Sequence, residues 1–144
     1  MLKMISLLGL LMMIAALAVM YATGNLLSPQ PIAIALQVLA VALMIWARLA
    51  FGSRSFHASA DPTAGGLVTT GPYRYIRHPI YTAACLFGLG GIVAHWSLLS
   101  VGLGVLLFLG GLVRMLCEER LVKQTYPEYV DYSKTTKRMI PFVF

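Results

Sequence analysis

Apolar side chains run almost unbroken through four stretches of this chain, about 2–21, 31–51, 80–95 and 98–116. Neither the alternation of a half-buried strand nor the polar stripe of a soluble helix interrupts them. A helix needs roughly 20 predominantly apolar residues to cross a bilayer, and the first two stretches meet that length. The last two belong to one long run from Ile80 to Cys117, broken at His95-Trp96-Ser97. That run is read as a helical hairpin with slightly short arms. The pattern predicts an all-α integral membrane protein. It would have four transmembrane helices, a polar cytoplasmic loop and a partly helical C-terminal tail, in one domain over 1–144.

The first stretch begins with Lys3, as a signal peptide would. Its apolar run exceeds the roughly 7–15 residues of a cleavable core, and no small-x-small site follows, so it is expected to stay as a helix. Pro31 suits the first position of the second helix. In the tail, Thr125 and Glu128 have capping-box spacing, which predicts a helix over about 126–136.

Composition supports a bilayer as solvent. Hydrophobic residues make up 59% and charged residues 11%, against about 25% charged in soluble domains. The net charge is +6. Lys3 lies before the first helix; Arg48, Arg54, Arg74 and Arg77 lie between the second and third or at their ends; the other basic residues lie at or beyond the end of the fourth. The connections at 22–30 and 95–97 carry none. The positive-inside rule then puts both termini in the cytoplasm, with a bacterial inner membrane as the expected location. The positive charge suits anionic lipid headgroups, and no basic stripe on a soluble fold points to nucleic acid. Cys85 and Cys117 fall at different points of the hairpin and are expected to be free thiols, and no metal site is expected.

Glycines at 88, 90, 91, 102, 104, 110 and 111 sit inside the hairpin arms. No strand precedes them, so a dinucleotide loop is excluded by context. Close helix packing through small residues is expected instead. His57 in the polar loop is expected to be a solvated bystander.

Two polar clusters remain. Arg77 and His78 open the third helix, where free N–H groups and the dipole favour anions. Arg114 and Glu118 are four apart, on one helix face, and Glu119 follows. Ionisable groups at membrane depth cost about 2.5–3.5 kcal/mol on insertion scales, so they count as functional candidates. Together the clusters suit a zwitterionic ligand with polar and apolar parts.

The residues carry a resemblance. Leu67-Val68-x-x-Gly71-x-Tyr73-x-x-x-Arg77-His78-Pro79-x-Tyr81 is followed by Arg114-x-x-x-Glu118-Glu119, Glu128-Tyr129-x-x-Tyr132 and Ile140-Pro141-Phe142. The set resembles the isoprenylcysteine carboxyl methyltransferase family, and phospholipid N-methyltransferases are similar in the same regions. The likeness covers about 65–144. It implies a membrane enzyme that transfers methyl from S-adenosylmethionine, with cofactor-site elements at 65–81 and 114–144. Leu67, Val68, Tyr73, Arg77, His78, Pro79, Tyr81 and Glu118 fall at cofactor-binding positions. Arg114 falls at a substrate-positioning one, and Glu119 belongs to the paired-acid motif. The implied substrate is a lipophilic small molecule or lipidated partner entering from the bilayer, with a carboxylate or an amine as acceptor. Gly65-Gly66 and Tyr126-Pro127 depart from the family pattern, and relatives with long N-terminal extensions have more helices. An NADPH-dependent reductase of the sterol reductase type shares the arginine-x-Pro-x-Tyr and Ile-Pro-Phe pieces, but typically has Asn where Ile80 stands. A transporter or a catalytically inactive small membrane protein completes the alternatives.

Overall fold

The computed structural model describes residues 1–52 and 66–144; His57 and Asp61 lie outside them. Among the described residues there are five α-helices and no β-strand. They are α1 (Leu2–Ala22), α2 (Pro31–Phe51), α3 (Pro79–Ala94), α4 (Leu98–Thr125) and α5 (Tyr129–Thr135). A 3-10 turn, Gly71–Arg74, leads into α3. By length and composition α1, α2 and α4 can each cross a membrane. Helix α3 is apolar but has 16 residues, about 24 Å at 1.5 Å per residue, against a hydrocarbon core of about 30 Å.

The local chemistry accounts for the ends of the helices. Pro31 and Pro79 open α2 and α3, where a missing N–H costs nothing. Ser97 starts α4 by accepting a hydrogen bond from the Ser100 backbone N–H at 3.1 Å. Helix α4 then runs well past the expected limit near residue 116, to Thr125. Nothing between Cys117 and Gln124 breaks a helix, and Glu, Arg, Leu, Lys and Gln favour one. The expected capping box does not form. Thr125 stays in α4 and donates its hydroxyl to the Leu121 carbonyl, and α5 begins at Tyr129 with no side-chain cap.

The four longer helices pack mainly as two pairs, α1 with α4 and α2 with α3. Small or slender residues face inward: Ser6, Gly9, Met13, Ala16 and Met20 on α1, and Ala33, Gln37, Ala40 and Ala47 on α2. Large apolar residues such as Leu8, Leu11, Ile14, Val38 and Leu39 face outward. That arrangement suits lipid, which gives no hydrophobic drive between helices and leaves close packing to hold them. Gly9 and Gly110 make such a contact between α1 and α4. A Cβ added to either would stand 2.7 Å from the other's carbonyl oxygen. Gln37 donates to the Leu26 carbonyl at 2.6 Å and ties the α1–α2 connection to the α2–α3 pair.

Candidate active site

The polar residues gather at the end of the bundle where α3 begins and α4 finishes. The approach to α3 is held from two sides. Gly71 has a positive φ of 59°, and a Cβ there would lie 2.9 Å from the Ala50 Cβ and 3.2 Å from Trp46 Nε1, so only glycine lets the turn sit this close to α2. On the other side the C-terminal tail pairs with the chain. Arg77 N–H donates to the Lys137 carbonyl at 2.7 Å and His78 N–H to the Arg138 carbonyl at 2.9 Å. These bonds flank an isolated parallel bridge between Ile76 and Lys137.

Adjacent positions on a helix point about 100° apart, so Glu118 and Glu119 serve different neighbours. Glu119 faces α3 and the tail. It accepts from Arg77 Nε at 3.0 Å, lies 3.3 Å from His78 Nε2 and accepts from Arg138 Nη2 at 3.2 Å. An ionised carboxylate only accepts, so His78 Nε2 is the donor side of this contact. Arg77 also donates to the Ser133 carbonyl at 3.0 Å and to the Thr136 carbonyl. Glu119 thus ties the start of α3, α4 and the tail together.

Glu118 faces the α3–α4 contact. Its Oε1 accepts from the Tyr81 hydroxyl and from Arg114 Nη2 at 3.2 Å. The Tyr81 hydroxyl in turn accepts from Arg114 Nε at 2.7 Å. Tyr81 lies one turn along α3 from His78, with ring centroids 5.8 Å apart. Arg114 is 4% exposed, whereas the Glu118 side chain is 23% exposed. Its second oxygen lies 3.8 Å from His78 Nδ1 and makes no hydrogen bond among the described residues. Glu118 therefore keeps an acceptor that an incoming molecule can reach.

Tyrosines line the same end. The Tyr132 hydroxyl donates to the Tyr73 carbonyl at 2.6 Å, and the Tyr73 ring lies 5.4 Å from that of Phe51. Burial pushes the Tyr73 and Tyr129 phenols above their usual range and the Tyr132 phenol up to about 12. Glu118 adds to the rise at Tyr73, which places the two within electrostatic reach.

The structure brings Tyr73, Arg77, His78, Tyr81, Arg114, Glu118 and Glu119 together. Pro79 is buried at the start of α3, and Leu67 and Val68 are half-buried in the irregular stretch before Gly71. Sequence reasoning missed Arg138 and the backbone carbonyls of Ser133 and Thr136. Arg138 was one basic residue among several beyond α4, and nothing in its spacing marked it as the partner of Glu119.

Residues 29–129 match the family model described as phospholipid methyltransferase. The chain is 33% identical over 78 residues to a nickel-cobalt-cadmium resistance protein of Alcaligenes xylosoxydans xylosoxydans, a match covering 52% of this chain and 36% of that one. It is 32% identical over 78 residues to a cobalt-zinc-cadmium resistance protein of Cupriavidus metallidurans, covering 52% and 35%. The match thus spans about a third of the length of these curated relatives. No solved structure matches.

Proposed function

Since the chain belongs to the phospholipid methyltransferase family, we propose that it is an integral membrane methyltransferase that uses S-adenosylmethionine and methylates a lipophilic acceptor. The observation that carries this reading is the partly exposed Glu118, whose second carboxylate oxygen makes no hydrogen bond among the described residues and lies beside His78, close to Tyr81 and Arg114. On this reading α3 completes a four-span bundle, its shortfall in length made up by the polar turn that leads into it. The basic end faces the cytoplasm, and with it the site.

The donor set fits the cofactor. S-adenosylmethionine carries ribose hydroxyls and an ammonium, which need acceptors, and a carboxylate, which needs donors. Glu118 supplies an acceptor, and the aromatic faces of Tyr73 and Tyr81 suit a cation or an adenine ring. When bound, the cofactor supplies an electrophilic methyl group on a sulfonium sulfur. The protein's part is orientation, because displacement needs acceptor and leaving group in line. Arg114, fixed by Tyr81 and Glu118, positions the acceptor's polar head. A carboxylate acceptor arrives ionised and needs no base. An amine acceptor must lose a proton, and the nearest group with a spare acceptor oxygen is Glu118. Glu119 and Arg77 are engaged with each other and the tail, so we assign them to holding the site closed at its C-terminal side. Leu67, Val68 and Pro79 complete the proposed cofactor wall.

The metal-resistance names belong to relatives of which the match covers about a third. Among the described residues no three His, Cys, Asp or Glu side chains converge as metal ligands. The test is a labelled-methyl assay on membranes that contain the protein, followed by mass analysis of the extracted lipid. Transfer of label into a lipid-soluble product is expected. Transfer no greater than in membranes lacking the protein would contradict the reading.

A further inference from the structure

Beyond Arg138 the tail turns back into the bundle. Met139 belongs to the buried cluster that includes Met13 of α1, Tyr81 of α3 and Met115 of α4, and Phe144 packs against that cluster. The Met139 carbonyl accepts from Thr82 Oγ1 at 3.0 Å, inside the first turn of α3. Between Met139 and Phe144 the chain makes a hook. Met139 and Ile140 N–H both donate to the Phe144 backbone oxygen at 2.7 Å. Val143 and Phe144 N–H donate to the Ile140 carbonyl at 3.2 and 3.1 Å, and Pro141 has no N–H to satisfy. Phe142 sits at the tip with a φ of 66°, a conformation that bulky residues avoid. The outer side of the hook is apolar and open: Phe142 is 90% exposed, Val143 73% and Ile140 52%.

We propose that the hook is a re-entrant membrane anchor, which seats Ile140, Phe142 and Val143 in the lipid of the leaflet at the polar end and so holds the tail against the start of α3. Three features select lipid as the partner. The first is depth. The base of the hook is wedged against side chains of α1 and α4, which can each cross a membrane, so its outer side at that level faces lipid. The second is the backbone. A segment exposed to lipid must satisfy its own polar groups, and the hook bonds the N–H groups of Met139, Ile140, Val143 and Phe144 within itself. The third is the rim. Arg74, Arg120, Lys123 and Lys137 are exposed around this end, and basic residues near a bilayer attract anionic headgroups. Trp46, beside Gly71, and Tyr75 are half-exposed, as rings at a membrane–water interface are. The left-handed φ at Phe142 is a local cost, and it turns the ring outward. The same tail supplies Arg138 to Glu119, and the Lys137 and Arg138 carbonyls to the Arg77 and His78 N–H groups. Lipid under the hook therefore steadies the polar cluster without touching any residue in it.

The full chain is tested in nanodiscs of phosphatidylcholine and phosphatidylglycerol. For the first readout Cys85→Ala and Cys117→Ala are combined with Val143→Cys, which carries an environment-sensitive fluorophore. The label should be quenched by lipid bearing a nitroxide on its acyl chain and shielded from aqueous iodide. The second readout is backbone hydrogen exchange across 75–78. Phe142→Asn removes the ring and keeps the turn, because asparagine tolerates a left-handed φ. Exchange across 75–78 should become at least about tenfold faster in this variant, the order expected when one aromatic side chain loses its apolar surroundings. Exchange in α2 should stay as in the wild type. Phe142→Trp keeps a large apolar ring and should match the wild type at both segments. A label quenched by iodide and not by the acyl-chain nitroxide would overturn the proposal. Shielding from both quenchers would overturn it too, since a protein partner or a second copy would then cover the hook. Unchanged exchange across 75–78 in Phe142→Asn would equally overturn it. Neither readout involves methyl transfer, so each of these failures leaves the methyltransferase reading intact.

Discussion

Tyr81 joins the two halves of the site through one hydroxyl, which accepts from Arg114 and donates to Glu118. Replacing it with phenylalanine keeps the ring and removes the bridge. Arg114 Nε, buried at 4% residue exposure, then loses this acceptor, a loss worth about 1–3 kcal/mol. Tyr81→Phe should lower thermal stability by that order. It should reduce methyl transfer more than S-adenosylhomocysteine affinity, because Arg114 loses one of the groups that orient it; parallel melting, binding and rate measurements check this. The sequence could pair Arg114 with Glu118 from their spacing of four alone. It could not attach Tyr81 to that pair, because the link depends on how α3 meets α4. The division of labour between Glu118 and Glu119 was equally hidden, since the partners of Glu119 come from the start of α3 and from the tail.

At the scale of elements, the apolar pattern located the starts of all four longer helices to within a residue. It placed the ends of the first three as closely. The end of α4 was misjudged because hydropathy marks where lipid stops, whereas a helix stops only where backbone chemistry forces it. The glycines also divide by their surroundings, which composition cannot reveal. A methyl group on Gly9 would meet the Gly110 carbonyl at 2.7 Å, while one on Gly102 would meet nothing within 4 Å. Gly9→Ala should therefore force α1 away from α4 and cost about 1–3 kcal/mol through overpacking. Gly102→Ala should be neutral or slightly stabilising, since alanine is the better helix former. Thermal unfolding of the two variants in one detergent makes the comparison. The Gly9 variant also bears on function, because the same added methyl would lie 3.1 Å from Arg114 Cγ.

For the whole molecule, the charge distribution implies that the α1 start, the polar turn and the tail share one side of the membrane. In a variant lacking Cys85 and Cys117, cysteine at Ser97 should react with an impermeant maleimide added to intact cells. Cysteine at Lys123 should react only after lysis, and the reverse result would invert the orientation. The polar end depends on contacts among the turn before α3, the end of α4 and the tail, the first of them some forty residues from the other two. The resemblance named most of its residues, while the physical pattern alone reached only two polar clusters and a ligand of mixed character. On the proposed function, those clusters form one pocket for the methyl donor. Its most direct test is calorimetric titration of the purified protein with S-adenosylhomocysteine. The wild type should bind it. Affinity should fall at least about tenfold, or about 1.4 kcal/mol, in both His78→Ala and Glu118→Ala, and should be unchanged in Arg120→Ala, an exposed position on the same helix. No binding by the wild type, or equal binding by all four proteins, would contradict the account.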